Sequence, residues 1–418
     1  MSKQSGIDQL SRAQLARLAR ETMLAAQFNS RTGYAALRIN HGDESYRDTA
    51  IDNWIAASPV YTRRMQQALG FAGEGDVAAI FKGLQLDCGF AHQYFDVHYT
   101  VSAPEEGRFW LASCGALLEA EPRGEEAVKV MCHDIEDPTF DATACATNPR
   151  ARMRPLHRPP RVPADRQPHC EWRVFIDAQA PPLEPSVLSL QTADTQLAAL
   201  PLAPIAEDQG GGLHDYSGTL FEQLQLERFS RPALLRICLE LAIQHHLLVN
   251  SLQRVIETRY GEAAAVAVAE FQMQGSARVV SERLLAALAP ELSGVDALQF
   301  VLQLHPALQP AAYFESTLSR EGDCLRLSLG ADSPAMRESQ RHGWCHLSQE
   351  AFAAGLESLA RGVDARAEVV AAAGEAGVFT FSIGSSVEEE LPLSVQIARG
   401  AVLYQTTLED HIPLLQAP

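Results

Sequence analysis

The chain has 418 residues, 46% of them hydrophobic and 21% charged, enough for two or three ordinary domains with real cores. Its formal net charge of -18 argues against nucleic-acid phosphates as the main partner. No apolar run approaches the length of a membrane span, and Met1 to Gln9 lacks an apolar leader, so the expectation is a cytoplasmic protein with reduced cysteines.

In chain order, 11–28 reads as a helix capped by Ser11, with Leu15, Leu18, Thr22 and Ala25 at helical spacing. Two further helices, 51–57 and 61–69, are expected to break at Ser58-Pro59. A short helix covers 77–86. A hairpin follows over 94–114, turning at Pro104 to Gly107, with Phe95, Val97 and Tyr99 on one face and Asp96, His98 and Thr100 on the other. A helix over 125–135 and a strand over 170–176 complete a first half, 1–177. Residues 178–217, rich in proline and carrying Gly210 to Gly212, read as a linker.

The second half, 218–418, opens with a helix running to Arg259, with Ser230 as N-cap, Pro232 in the first turn and Gly261 as C-cap. Helices over 262–273 and 276–288 follow. From Phe314 the strand pattern returns, with a helix over 349–360 and strands ending at 378–383. The order of elements repeats that of the first half. The expectation is an α+β fold of two similar halves, each with helices followed by a small antiparallel sheet and a crossing helix.

Chemistry-bearing residues concentrate in the first half. Five of the eight cysteines and five of the thirteen histidines lie between 88 and 170. No C-x-x-C pair, G-x-S-x-G, H-E-x-x-H or phosphate-loop motif is present. Cys114 ends a strand before Gly115, a place where a helix N-terminus activates a thiol, although burial is the commoner fate of a free cysteine. His133 and Glu136 share a helix face and suit general acid–base work, against the plainer reading of a solvated acidic helix end. His98, His133, His157 and His169 form the candidate ligand set for a transition metal, zinc or iron. The stretch 149–169 holds six arginines, six prolines and one acid. Arg154, Arg158 and Arg161 are its candidate anion clamp, the alternative being pairs with the protein's own acids.

The step Arg259-Tyr-Gly-Glu-Ala-Ala264, and the helices-then-hairpin layout with Cys114 at the strand end, resemble the L-2-amino-thiazoline-4-carboxylate hydrolase-like family. The resemblance implies small α+β units with cysteine-containing sites, and it implies a reactive thiol at Cys114. Three functions stay open. One is an enzyme of hydrolase or lyase type acting on a small carboxylate-bearing molecule, with or without a metal. Another is a sensor or carrier of such a molecule, with the long apolar helices serving a homodimer. The last is an assembly protein docking through its arginine loop.

Overall fold

The Ser11 hydroxyl accepts from the Gln14 amide while the Gln14 side chain accepts from the Ser11 amide, closing a capping box. In the computed structural model, which describes residues 6–387 and 390–405, this box starts α1 (Arg12–His41), which ends at Gly42 with φ 79°. The helix thus runs thirteen residues past the expected end at 28. Those extra turns carry Arg31, Tyr34 and Arg38, polar side chains that hid a helix face from hydrophobic periodicity. α2 (Glu44–Ala68) also runs on unbroken, with Pro59 inside it. Burial of Ser58 and Pro59, with the Thr143 hydroxyl donating to Ser58 Oγ at 2.8 Å, carries it through the lost backbone bond.

α3 (Val77–Gln85) leads to the hairpin β1 (Phe95–Ala103) and β2 (Glu106–Cys114). Next come α4 (Gly115–Ala120), α5 (Glu125–Lys129), a π-helical turn over Val130–Ile135 and α6 (Glu136–Cys145). β3 (Ala151–His157) and β4 (Cys170–Ile176) complete an antiparallel sheet of order β1-β2-β4-β3. β3 occupies ground expected to be arginine loop. Its alternation of Ala151 and Met153 inward with Arg152 and Arg154 outward is a strand pattern that the prolines masked.

Residues 178–217 contain α7 (Val187–Ala193), and their Leu197 and Tyr216 are buried in the core. Then come α8 (Arg231–Tyr260), α9 (Glu262–Leu288), α10 (Gly294–Leu304), α11 (Ala311–Phe314), β5 (Thr317–Glu321) and β6 (Cys324–Ser328). α12 (Gln349–Arg361), β7 (Ala367–Ala371), β8 (Val378–Ile383), α13 (Leu393–Arg399) and α14 (Val402–Gln405) follow. The second sheet has order β5-β6-β8-β7. The fold is α+β, with two four-stranded antiparallel sheets that share one strand order.

α9 was expected as two helices meeting near Gly275. It is one, because Gly275 serves a close approach: a Cβ there would stand 2.6 Å from the Ser394 carbonyl oxygen. Among the described residues α8 alone is long and apolar enough to cross a membrane, and 78% of that stretch is buried inside the molecule. α1 and α2 pack on α8 and α9, so residues of both halves share single hydrophobic clusters.

Two buried ion pairs lock this arrangement. Arg283 of α9 donates to both Glu21 oxygens at 2.7 and 2.8 Å. Arg64 of α2 donates to both Glu240 oxygens at 3.0 Å, and also to the carbonyls of Ala198 and Leu200. One constant sequence offset relates Ser11 to Ser230, Glu21 to Glu240, Gly42 to Gly261 and Arg64 to Arg283.

Removing one partner of such a pair strands a charge in the core. Arg64→Met is expected to cost about 3–5 kcal/mol in denaturant unfolding, and the double variant Arg64→Met/Glu240→Leu to recover most of it. A double variant as unstable as the single one would show that packing, not the stranded charge, sets the cost.

Candidate functional site

A cavity of about 480 Å³ lies between α1, α2, the inner face of the first sheet, the π-helical turn and α6. That volume falls in the range of ordinary small-molecule sites. Helical spacing brings Arg31, Tyr34 and Arg38 of α1 to it, and α2 adds Tyr46, Trp54 and Tyr61. The wider turn over 130–135, a distortion that often marks functional sites, brings in Met131 and Ile135 and leads directly to Glu136. Ile397 of α13 contributes from the second half. Gly115 keeps the Tyr94 ring at the wall, since a Cβ there would fall 2.1 Å from it.

One end of the cavity is cationic. Arg31 donates to the Tyr94 hydroxyl at 3.3 Å and pairs with Glu119, and its Nε is buried without a partner. Arg38 stacks on Tyr46, 4.0 Å from the ring centre. Arg123, exposed at the mouth, forms no ion pair among the described residues. Desolvation, with Arg123 nearby, holds the Arg31 and Arg38 guanidinium pKa values below their usual range. An anion seated here would offset the repulsion from Arg123.

The middle of the cavity is apolar, faced by Trp54, Phe90, Phe140 and Trp172. Phe140 meets Trp172 edge-on at 4.7 Å.

Two carboxyl groups stand elsewhere on the walls. Asp87 is buried, and its Oδ1 accepts from the Tyr61 hydroxyl at 2.8 Å and the Gly89 amide at 2.6 Å. Burial raises its pKa to about 6, against those two bonds. Glu136 is half-buried by surface area because the cavity reaches it, yet protein surrounds it on the longer scale that governs its charge. Its Oε2 is enclosed and has no hydrogen-bond partner. Burial raises its pKa to about 8 despite Arg158.

The residues singled out from sequence divide by strand parity and by partner. Of the proposed catalytic trio, Glu136 lines the cavity while Cys114 and His133 do not. The Cys114 thiol accepts from the Leu117 amide at 3.4 Å, and burial, with Glu136 adding to it, pushes its pKa up to about 12. A thiol held protonated in this way is not an activated nucleophile. Cys170 lines the cavity and is likewise pushed up by burial. The His133 ring bonds the Pro159 carbonyl oxygen at 2.6 Å.

His98 and His157 belong to the outer row His98–Trp110–Glu171–His157 across the sheet, with His98 stacked on Trp110 at 5.3 Å. His169 lies inside, its Nδ1 accepting from the Cys114 amide at 3.1 Å. The four histidines therefore do not converge, and no group of three or more His, Cys, Asp or Glu side chains among the described residues is placed to hold a metal ion.

The three loop arginines serve the protein's own acids. Arg154 pairs with Asp141, Arg158 with Asp137 and Arg161 with Glu121. The arginines that line the cavity are Arg31, Arg38 and Arg123, of which Arg31 pairs with Glu119 and Arg38 Nε lies 3.5 Å from Asp43 Oδ1; the spacing of Arg31, Tyr34 and Arg38 was the sequence feature that could have found the α1 pair. Asp87 carries no motif at all.

The fold and cavity define the class: an α+β protein with a cavity of small-molecule size and mixed cationic, apolar and carboxylic lining. No family model, curated protein or solved structure matches the chain.

The buried Glu136 carboxyl links stability to pH. Its pKa rises from 4.5 when unfolded to about 8 when folded. The proton it retains stabilises the fold fully below 4.5, and that contribution is lost as pH rises through 8. Glu136→Gln should match wild type near pH 4.5 and exceed it increasingly towards pH 8, by on the order of a few kcal/mol. A stability difference that stays constant between pH 5 and 8 would refute the shift.

Proposed function

We propose that the N-terminal half binds a small amphipathic carboxylate, and that the protein is an enzyme of hydrolase or lyase type acting on it. The observation that carries this reading is the cavity itself, in which Arg31, Arg38 and Arg123 gather at one end while aromatic walls and two buried carboxyl groups occupy the rest. Guanidinium pairs suit a carboxylate, and the aromatic walls suit an apolar body next to it.

The halves read as copies of one unit of which only the first keeps an open site. The constant offset places Asn250, Gln253 and Glu257 where α1 has Arg31, Tyr34 and Arg38. Gln253 accepts from the Gly343 amide at 2.8 Å, and Glu257 meets the His342 ring at 2.5 Å. The chain's own segment around 342–346 thus covers that face of α8.

The rival reading is a sensor or carrier with the same cavity and no chemistry. Both readings require the cationic end to recognise charge. Calorimetric titration with 3-phenylpropanoate and with its neutral amide should show the acid binding at least about tenfold tighter, the scale of one charged hydrogen bond. Arg38→Met should remove that preference while leaving the amide unaffected. Equal binding of acid and amide by the wild-type protein would overturn the assignment.

A further inference from the structure

We infer that Asp87 and Glu136 form a base–acid pair on separate walls of the cavity and that the reaction they serve is an elimination from a carboxylate-bearing substrate. This inference rests on the cavity being the binding site.

The argument begins with placement. Both carboxyl groups line one cavity, and neither has a dedicated cation. Asp87 is held by a phenol and an amide through Oδ1 alone. That fixes the group and leaves its second oxygen outside those bonds. The groups bearing on it are Tyr61, Cys88 and Tyr99, all uncharged at neutral pH. Arg158, the cation near Glu136, is engaged by Asp137. Around Glu136 stand Asp137 and the thiols of Cys114, Cys132 and Cys170. A buried carboxyl without a counter-ion is costly, so two in one cavity are hard to explain as packing.

Their environments then separate their roles. Near neutral pH the Asp87 carboxyl, at about 6, is mostly ionised, and the Glu136 carboxyl, at about 8, mostly keeps its proton. Titratable groups driven apart in this way divide into base and acid. The thiols are held protonated by burial, which leaves the two carboxyl groups as the cavity's candidates for proton transfer.

The step balances without a co-reactant. Asp87 takes a proton from carbon. The electrons of that C–H bond form a new π bond to the neighbouring atom. The bond from that atom to the leaving group breaks, and the departing atom takes the proton of Glu136. Asp87 ends protonated and Glu136 ionised, and exchange with water restores both.

An activated probe tests the pair without the natural substrate. 5-Nitrobenzisoxazole loses its ring C–H proton to a base, the electrons of that bond complete a nitrile as the ring N–O bond breaks, and the ring opens to one coloured product, 2-cyano-4-nitrophenolate. The full-length protein should eliminate it with saturation, inhibited by 3-phenylpropanoate. The rate should rise with pH through about 6 and fall through about 8. Asp87→Asn should lower kcat at least about a hundredfold, and Glu136→Gln should abolish the alkaline fall. Tyr61→Phe, which keeps the carboxylate but loses one of its orienting bonds, should move the acid limb.

If 3-phenylpropanoate binds but elimination is no faster than with acetate at equal concentration, the pair is refuted and the binding site stands. If Asp87→Asn, folded by its thermal transition, keeps wild-type turnover, the pair is likewise refuted. If neither compound binds, the site and the pair fall together.

Discussion

The crossed ion pairs Glu21–Arg283 and Arg64–Glu240 set the terms for everything else. Each joins a helix of one half to a helix of the other, and both are deeply buried. Such pairs add little net stability compared with apolar packing, but a one-residue slip would strand four charges. They therefore fix how α1 and α2 lie against α8 and α9. That register places Arg31, Tyr34 and Arg38 towards the first sheet and brings Ile397 to the cavity wall. The site is built in the first half, but its walls are held by helices of both.

The helix faces related by the constant sequence offset differ in what covers them. On α8 the equivalent face bonds the segment around Gly343, with Trp344 donating to Gln272 at 3.1 Å to complete the cover. On α1 the equivalent face opens on the cavity.

Much of the fold was legible in the sequence because it depended on local rules. Ser11, Ser230 and Gly261 announced helix ends, and alternation across 94–114 announced the hairpin. The failures were tertiary. Packing against α6 carried α2 through Pro59, and the approach of α13 demanded Gly275 inside a continuous helix. For the site, local enrichment of Cys and His misled. Those side chains were dense in sequence, but strand alternation sent His98 and His157 outward, and burial quenched Cys114. Glu136 was found because it stands three residues from His133 in an acidic stretch at an expected helix end. Asp87 was not, since its meaning lies in contacts with Tyr61 of a distant helix and with Gly89.

The balance between binding and chemistry turns on what each would select. A protein that only held a carboxylate would gain from Arg31, Arg38 and the aromatic walls, and lose from Asp87, whose negative charge opposes the ligand's own. Asparagine and glutamine at 87 and 136 would serve such a carrier better, retaining hydrogen bonds without the burden of buried charge. Two acids in one cavity, with opposite protonation near neutrality, fit the proposed proton transfer better than simple carriage. On the proposed reading the cationic end would have a second use, holding a substrate carboxylate at Arg31 and Arg38 while the rest of the molecule reaches the walls that carry Asp87 and Glu136.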